Sequence, residues 1–192
     1  MRRRAAALMT ALALLTFAAC GGASGGDFES LRAEVSAAGA INLSAEVTAA
    51  GETPETYSMS LSLSGGDCVI TVSAPAALAG ITARFDAGGE AWLEYDGLML
   101  GAGRVNGAGL SAATALPLLV EAICGAHVAL TWEEGSESVV SLVPDDETGV
   151  AGIDLRLDPA GRPTGAEFIS GGDGRVLISC DITEFSTSDT ED

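Results

Sequence analysis

The sequence contains no lysine and a single histidine, His127. This composition limits the catalytic and metal sites that the protein can form. Without lysine there is no Ser-Lys dyad, and one histidine has no imidazole partner for a zinc site of ordinary composition. A Ser-His-Asp triad is not excluded by counting residues, but the sequence has no Gly-x-Ser-x-Gly motif. We therefore expect a protein that is not an enzyme and that holds neither a metal nor a cofactor.

Positive charge is also scarce, since nine arginines face 27 aspartates and glutamates. Three of those arginines stand at positions 2–4, so residues 20–192 keep six of them and a formal charge of -21. Such a domain is repelled by nucleic acid and by anionic lipid surfaces. Regular patterns of apolar residues nevertheless argue against disorder. We expect a folded domain without a nucleic-acid partner.

The N-terminal apolar run is too short for a stable membrane-spanning anchor. It covers Ala5 to Phe17, follows Arg2 to Arg4, and leads into Ala18, Ala19 and Cys20. This order resembles a bacterial lipoprotein signal peptide with its lipobox, although Phe17 stands where the family usually has Leu. The resemblance implies removal of residues 1–19, acylation of Cys20 (palmitate being one such chain), and a lipid anchor on the extracytoplasmic face of the cell membrane. An ordinary secretory signal with a chance cysteine is the alternative.

The remaining chain divides into a tether, one domain and a tail. Residues 20–26 contain the lipidated cysteine and a glycine-rich stretch, which predicts flexibility. Residues 27–185 suit one domain of ordinary size. The acidic segment 186–192 is predicted to be a frayed tail. Inside the domain, apolar residues recur at helical spacing over 27–38, and Asp27 is placed to cap that helix.

After this helix the apolar period changes from about 3.6 residues to two, which is typical of strands. Alternating stretches separated by glycine-containing turns predict five strands between residues 41 and 100 and five more between 128 and 182. Residues 101–109 read GAGRVNGAG; a phosphate-binding loop would need glycine at position 106, where the chain has Asn106, so we predict a mobile loop.

Between the two sets of strands, Ser111 to Cys124 is the most apolar part of the domain. Because proline is tolerated in the first turn of a helix, Pro117 predicts that the regular helix begins near Thr114 or Ala115. A helix that is apolar on nearly every side must be covered. The predicted fold is therefore mainly β with some α: a curved antiparallel sheet of about ten strands, an unclosed half-barrel, whose concave face is covered by the N-terminal and central helices.

The order of elements, together with the lipobox and the closing hairpin between Gly165 and Phe185, resembles the LolA-like lipoprotein superfamily. That superfamily includes lipoprotein carriers, lipid-carrying lipoproteins and clostridial germination lipoproteins. The resemblance implies an apolar cavity inside the half-barrel. The side chains expected to line it are Leu43, Leu61, Ile70, Phe85, Leu116, Leu119, Ile123, Trp132 and Ile178. Trp132 is included because Val128, Leu130 and Trp132 alternate and should share one face.

Three cysteines besides Cys20 remain, an odd number for a protein in an oxidising compartment. The alternation places Cys68 and Cys180 on the dry side of the sheet, and Cys124 ends the apolar helix that should lie on that side. All three could be buried free thiols. A disulfide between Cys68 and Cys124 is the pairing we favour, because Cys68 and Cys180 should lie far apart in the sheet.

Two functions stay open. In the first, the anchored domain binds an apolar ligand such as a lipid acyl chain in its half-barrel. In the second, it is a scaffold that contacts another protein of the cell envelope, or of germination, and its interior is filled by side chains. An open apolar cavity would favour the ligand, and a packed interior would favour the scaffold.

Overall fold

A computed structural model describes residues 24–86, 88, 90–104, 110–144 and 150–189 of the chain. The predicted signal peptide, Cys20 and residues 145–149 lie outside these ranges. The first half contains helix α1 (Ser24–Ala37) and strands β1 (Ala40–Ala49), β2 (Glu55–Ser64), β3 (Asp67–Ala74), β4 (Thr82–Phe85), β5 (Glu90–Tyr95) and β6 (Leu98–Arg104). The second half contains helix α2 (Ala112–Gly125) and strands β7 (His127–Glu134), β8 (Glu137–Val143), β9 (Val150–Leu157), β10 (Pro163–Ser170) and β11 (Val176–Ser188).

The strands form one 11-stranded sheet in the order β6-β5-β4-β3-β2-β1-β11-β10-β9-β8-β7. Every neighbouring pair is antiparallel. The first and last strands of the chain pair with each other at the centre, and β6 and β7 are the two edges. The sheet is therefore unclosed, and the predicted fold class is confirmed.

Tight turns set the register of the hairpins. Asp96 and Gly97, between β5 and β6, both have positive φ, at 50° and 75°. Gly65 and Gly66, between β2 and β3, have φ of 60° and 90°. Two successive residues with positive φ are the mark of the two-residue turn whose twist matches that of antiparallel strands. Asp and Gly reach that region at least cost, which is why these sequences turn the chain here.

Helix α1 buries one stripe of apolar side chains. Phe28, Leu31 and Val35 are buried and belong to the same core as the sheet. They are three or four residues apart and so lie on one side of the helix. The helix begins at Ser24, so its first turn lies inside the segment that the sequence predicted to be a flexible tether.

Helix α2 is capped at its start and buried along most of its length. The backbone N–H of Thr114 donates to Oγ of Ser111, and the N–H of Ser111 donates to Oγ1 of Thr114. This reciprocal pair satisfies two groups that the helix itself leaves unpaired. The helix starts at Ala112, so Pro117 is its sixth residue and lies beyond the first turn, contrary to prediction. The buried residues of α2 are Ala115, Leu116, Leu118, Leu119, Val120, Ala122 and Ile123.

The first residues of two segments predicted to be irregular are strand instead. Strand β11 continues to Ser188, and its last residues pair with Ala40 to Asn42 of β1, so the predicted tail begins inside the sheet. Strand β6 continues to Arg104 and takes up the first part of the predicted glycine-rich loop. In both places backbone pairing with a neighbouring strand overrides a local composition that favours turns.

Candidate functional site: an apolar face left open at one edge of the sheet

One face of the sheet packs against both helices, and we call it the inner face. Side chains that stand directly opposite each other on neighbouring strands share a face. The cross-strand partners therefore trace one row of the inner face from β1 to β6: Leu43, Leu61, Ile70, Ala83, Leu93 and Leu100. In the same order, the exposed fractions of these residues are 2, 2, 1, 8, 43 and 68%. Along this row the cover over the inner face thus ends between β4 and β5, although Ala91 of β5, opposite Phe85, is still buried.

The uncovered part carries four large apolar side chains, which we call the apolar wing: Leu93, Tyr95, Leu98 and Leu100. Leu93 stands opposite Leu100, and Tyr95 stands opposite Leu98. All four are exposed. Isolated exposed apolar residues are ordinary, but a contiguous group of this kind marks a surface that another molecule covers.

Seven of the nine side chains predicted to line a cavity lie in the packed core. They are Leu43, Leu61, Ile70, Leu116, Leu119, Ile123 and Ile178, and none is more than 4% exposed. A side chain that lined an open space would present surface to it, so these seven contact other protein atoms instead. Phe85 is half-buried against the same core. These eight residues therefore come together, but as a core.

Trp132 is on the other side of the sheet, because a β-bulge interrupts β7. Val128 pairs with Leu142, Leu130 pairs with Ser141, and Ala129 between them has no partner. An extra residue in one strand shifts the alternation by one position. Val128 therefore stays on the inner face, whereas Leu130 and Trp132 turn to the outer face. The prediction that these three share a face, and that Trp132 lines the interior, is wrong.

The three cysteines of the domain are free thiols, so the predicted Cys68–Cys124 disulfide is absent from the structure. Cys68 and Cys180 are buried on the inner face, as the alternation predicted. Burial raises the pKa of Cys68 to about 11. Burial raises the pKa of Cys180 to about 12, and the charge of Asp181 adds to the rise. A disulfide needs Cα atoms within about 7 Å and matched Cβ directions, and alternation alone fixes neither.

Arg32 of α1 joins the two helices, a role that no pattern in the sequence indicated. Its Nε donates to the carbonyl oxygen of Ile123 at 2.8 Å, and its Nη2 donates to that of Ala126 at 2.6 Å. Its guanidinium also lies 4.6 Å from the ring centre of Phe28. The last turn of α2 contains no basic residue, so its carbonyl groups need a hydrogen-bond donor from another element. This was the one sign in the sequence that a residue such as Arg32 would contact them.

The two edges of the sheet differ in how they are protected. Strand β7 has the bulge at Ala129 and ends in Glu133 and Glu134, features that discourage pairing with another strand. Strand β6 also has a bulge, since Gly101 pairs with Trp92 and Gly103 with Ala91, and it ends in Arg104, but from Leu98 to Gly101 it has neither charge nor proline and its pairing is uninterrupted. The apolar wing therefore adjoins a short stretch of edge strand, Leu98 to Gly101, that lacks charge, proline and a bulge.

Neither a metal site nor a membrane-spanning helix is found among the described residues. Over these ranges, no group of three His, Cys, Asp or Glu side chains is arranged to hold a metal ion. No helix within the described part of the chain has the length and apolar character needed to cross a membrane. His127 begins β7 and is exposed.

No family model matches the sequence, and no curated protein matches it at a significant level. Among solved structures, an uncharacterized conserved protein from Thermus thermophilus matches with a TM-score of 0.52 and 15% identity, over 88% of this chain and 90% of that one. A domain from Vibrio parahaemolyticus, described as that of a putative outer membrane lipoprotein-sorting protein, gives a TM-score of 0.49 and 12% identity, over 88% and 95%. A LolA superfamily protein from Nitrosomonas europaea gives 0.46 and 12%, over 89% and 96%.

At such identities the similarity concerns the fold alone. The features that carry it are those described above, an unclosed antiparallel sheet and two helices packed against one of its faces. The chain therefore has the unclosed half-barrel architecture that its sequence predicted.

Proposed function

We propose that this protein is a non-catalytic lipoprotein of the bacterial cell envelope that binds another envelope protein through its apolar wing. The observation that carries the proposal is the loss of cover along the inner face, from 8% exposure at Ala83 to 68% at Leu100. Exposed apolar side chains in contiguous pairs lose unfavourable contact with water when a partner covers them.

The packed interior favours a protein partner over a ligand held inside the half-barrel. Leu116, Leu119 and Ile123 of α2 are at most 1% exposed, so they already fill the space that an acyl chain would need. An apolar ligand on the wing is the second candidate. It is favoured by the continuity of Leu93 and Leu100 with the apolar row beneath the helices.

The anchor would hold this surface close to the membrane. If Cys20 is acylated, four peptide units separate it from the first residue of α1, Ser24, and at full extension they span about 14 Å. The acidic domain would not bind an anionic bilayer through its own surface. The partner is therefore expected to be a protein at or near the same membrane face.

Photo-cross-linking in cells tests the proposal. A benzophenone amino acid is placed at Leu98 in the full chain, and in a matched control at Leu130, which is 61% exposed on the opposite edge strand. We expect a discrete protein adduct from position 98 only, and its loss when Leu100→Lys is added.

The mass of the adduct decides between the candidates. If the mass added at position 98 equals that of a lipid, the wing binds an apolar ligand and not a protein. Equal adducts from positions 98 and 130, or none from position 98, would show that the wing is not a specific surface.

A further inference from the structure

The edge strand β6 offers more than apolar side chains. Among the described residues, β6 pairs only with β5, so alternate backbone N–H and C=O groups from Leu98 to Gly101 point away from the sheet. Proteins usually protect such an edge with charge, proline or a bulge; none of these lies between Leu98 and Gly101, although a bulge at Ala102 follows. The β6 edge differs from the β7 edge in the pairs of exposed apolar side chains that lie beside it, Leu93 with Leu100 and Tyr95 with Leu98.

We propose that β6 accepts an extended segment of the partner protein as a twelfth strand of the sheet. This inference rests on the proposed function and specifies how the partner binds. In strand addition, backbone hydrogen bonds supply affinity and alternate side chains supply specificity. Leu98 and Leu100 face inward and Met99 faces outward, so the added strand would place every second side chain beside the apolar wing.

The charge of the domain indicates which segments fit. Glu94 stands opposite Met99 on the outer face, and the exposed Asp96 adjoins the start of β6. Glu94 is ion-paired with Arg84 at 3.3 Å, so these two charges offset each other, and Asp96 supplies the local negative charge. With a charge of -21 over residues 20–192, a second copy of this chain would be repelled. The segment is therefore one with apolar residues at alternate positions and basic residues between them.

A synthetic peptide of about ten residues, an ordinary upper length for a strand, in which valine and lysine alternate, serves as the probe. It is titrated onto the full chain in lipid nanodiscs, with amide hydrogen exchange recorded on the complex. We expect slower exchange in β6 and no change in β7, because only new hydrogen bonds protect edge amides. We also expect Leu100→Lys to weaken binding by about tenfold or more, and Leu130→Lys to leave it unchanged.

The same peptide with N-methyl groups on consecutive central residues separates strand addition from contact between side chains. It keeps the side chains but cannot donate backbone hydrogen bonds, so we expect it not to bind. If it binds β6 as well as the parent peptide does, strand addition is wrong, whereas the proposed partner surface stands. If the parent peptide binds without protecting β6, or if β6 instead joins two copies of the chain, the inference also fails. The cross-linking at position 98 tests the proposed function independently of these results.

Discussion

Arg32 on α1 donates a 2.6 Å hydrogen bond to the carbonyl oxygen of Ala126, the residue that follows α2. A second bond, to the carbonyl of Ile123, makes this one side chain the cap of the helix C-terminus. A cation at this end also lies favourably in the field of the helix dipole. The first and second halves of the sequence are therefore joined through a polar contact as well as through the core.

Replacing Arg32 with alanine should lower the free energy of unfolding by about 1–3 kcal/mol, the usual effect of removing hydrogen bonds that involve a charged group. Chemical denaturation measures the difference. Arg84→Ala is the matched control, since that side chain is half exposed and its ion pair with Glu94 contributes about 1 kcal/mol or less. Equal effects of the two substitutions would contradict a special role for Arg32.

Burial predicts opposite outcomes for two leucine-to-aspartate substitutions. Leu119 lies in the packed centre of α2, where a carboxylate would have no partner, so Leu119→Asp should cost several kcal/mol or prevent folding. Leu98 is exposed in the apolar wing, and Leu98→Asp should change the thermal midpoint little. A native-like melting temperature for the Leu119 variant would mean that α2 is not part of the core.

The buried thiols predict a loss of stability in alkaline solution. In the folded chain the pKa of Cys68 is about 11 and that of Cys180 about 12, against an ordinary value of 9.0. Above pH 9 the unfolded state ionises its thiols while the folded state does not, so the free energy of unfolding should fall as the pH rises through this window. Denaturation from pH 8 to 12 measures it, and the double variant Cys68→Ala/Cys180→Ala should show a shallower decline.

Peptide mapping under non-reducing conditions checks the same cysteines directly. The half-buried Cys124 should be alkylated first in the native protein, and Cys68 and Cys180 only slowly. A linked pair of peptides containing Cys68 and Cys124 would instead restore the disulfide predicted from the sequence.

Removing the predicted acylation site should release the protein from the membrane. We expect Cys20→Ala to move the processed chain from the membrane fraction to the soluble fraction, since the acidic domain has little affinity of its own for an anionic bilayer. Fractionation followed by immunoblotting measures this. If the processed variant stays in the membrane fraction, another part of the chain is the anchor.

Alternation along the strands predicted much of the core. Leu43, Ile70 and Ile178 follow that pattern and are buried. Leu93 follows the same pattern and is exposed, because cover depends on where the helices end, and no local pattern encodes that. The alternation also misplaced Trp132, since the bulge at Ala129 is set by pairing with β8 and has no signature in the residues themselves.

Long-range polar contacts were missed for a similar reason. Arg32 and Ala126 are far apart in sequence, and an arginine beside an apolar stripe is ordinarily solvated. The faces of Cys68 and Cys180 were predicted correctly, but the disulfide between Cys68 and Cys124 was not, because a disulfide depends on distances that only the folded chain defines.

The central pairing of β1 with β11 has a kinetic consequence. Each half of the sheet is a meander whose strands pair with neighbours close in sequence, whereas the junction at the centre needs a strand from each end of the chain. Closing so long a loop is entropically costly and slows folding. During synthesis the strand that completes the sheet emerges after all the other strands described here, so one edge of β1 remains unpaired until then. A chain cut short before Val176 would keep that edge permanently, and we expect such fragments to aggregate rather than to fold as a smaller half-barrel.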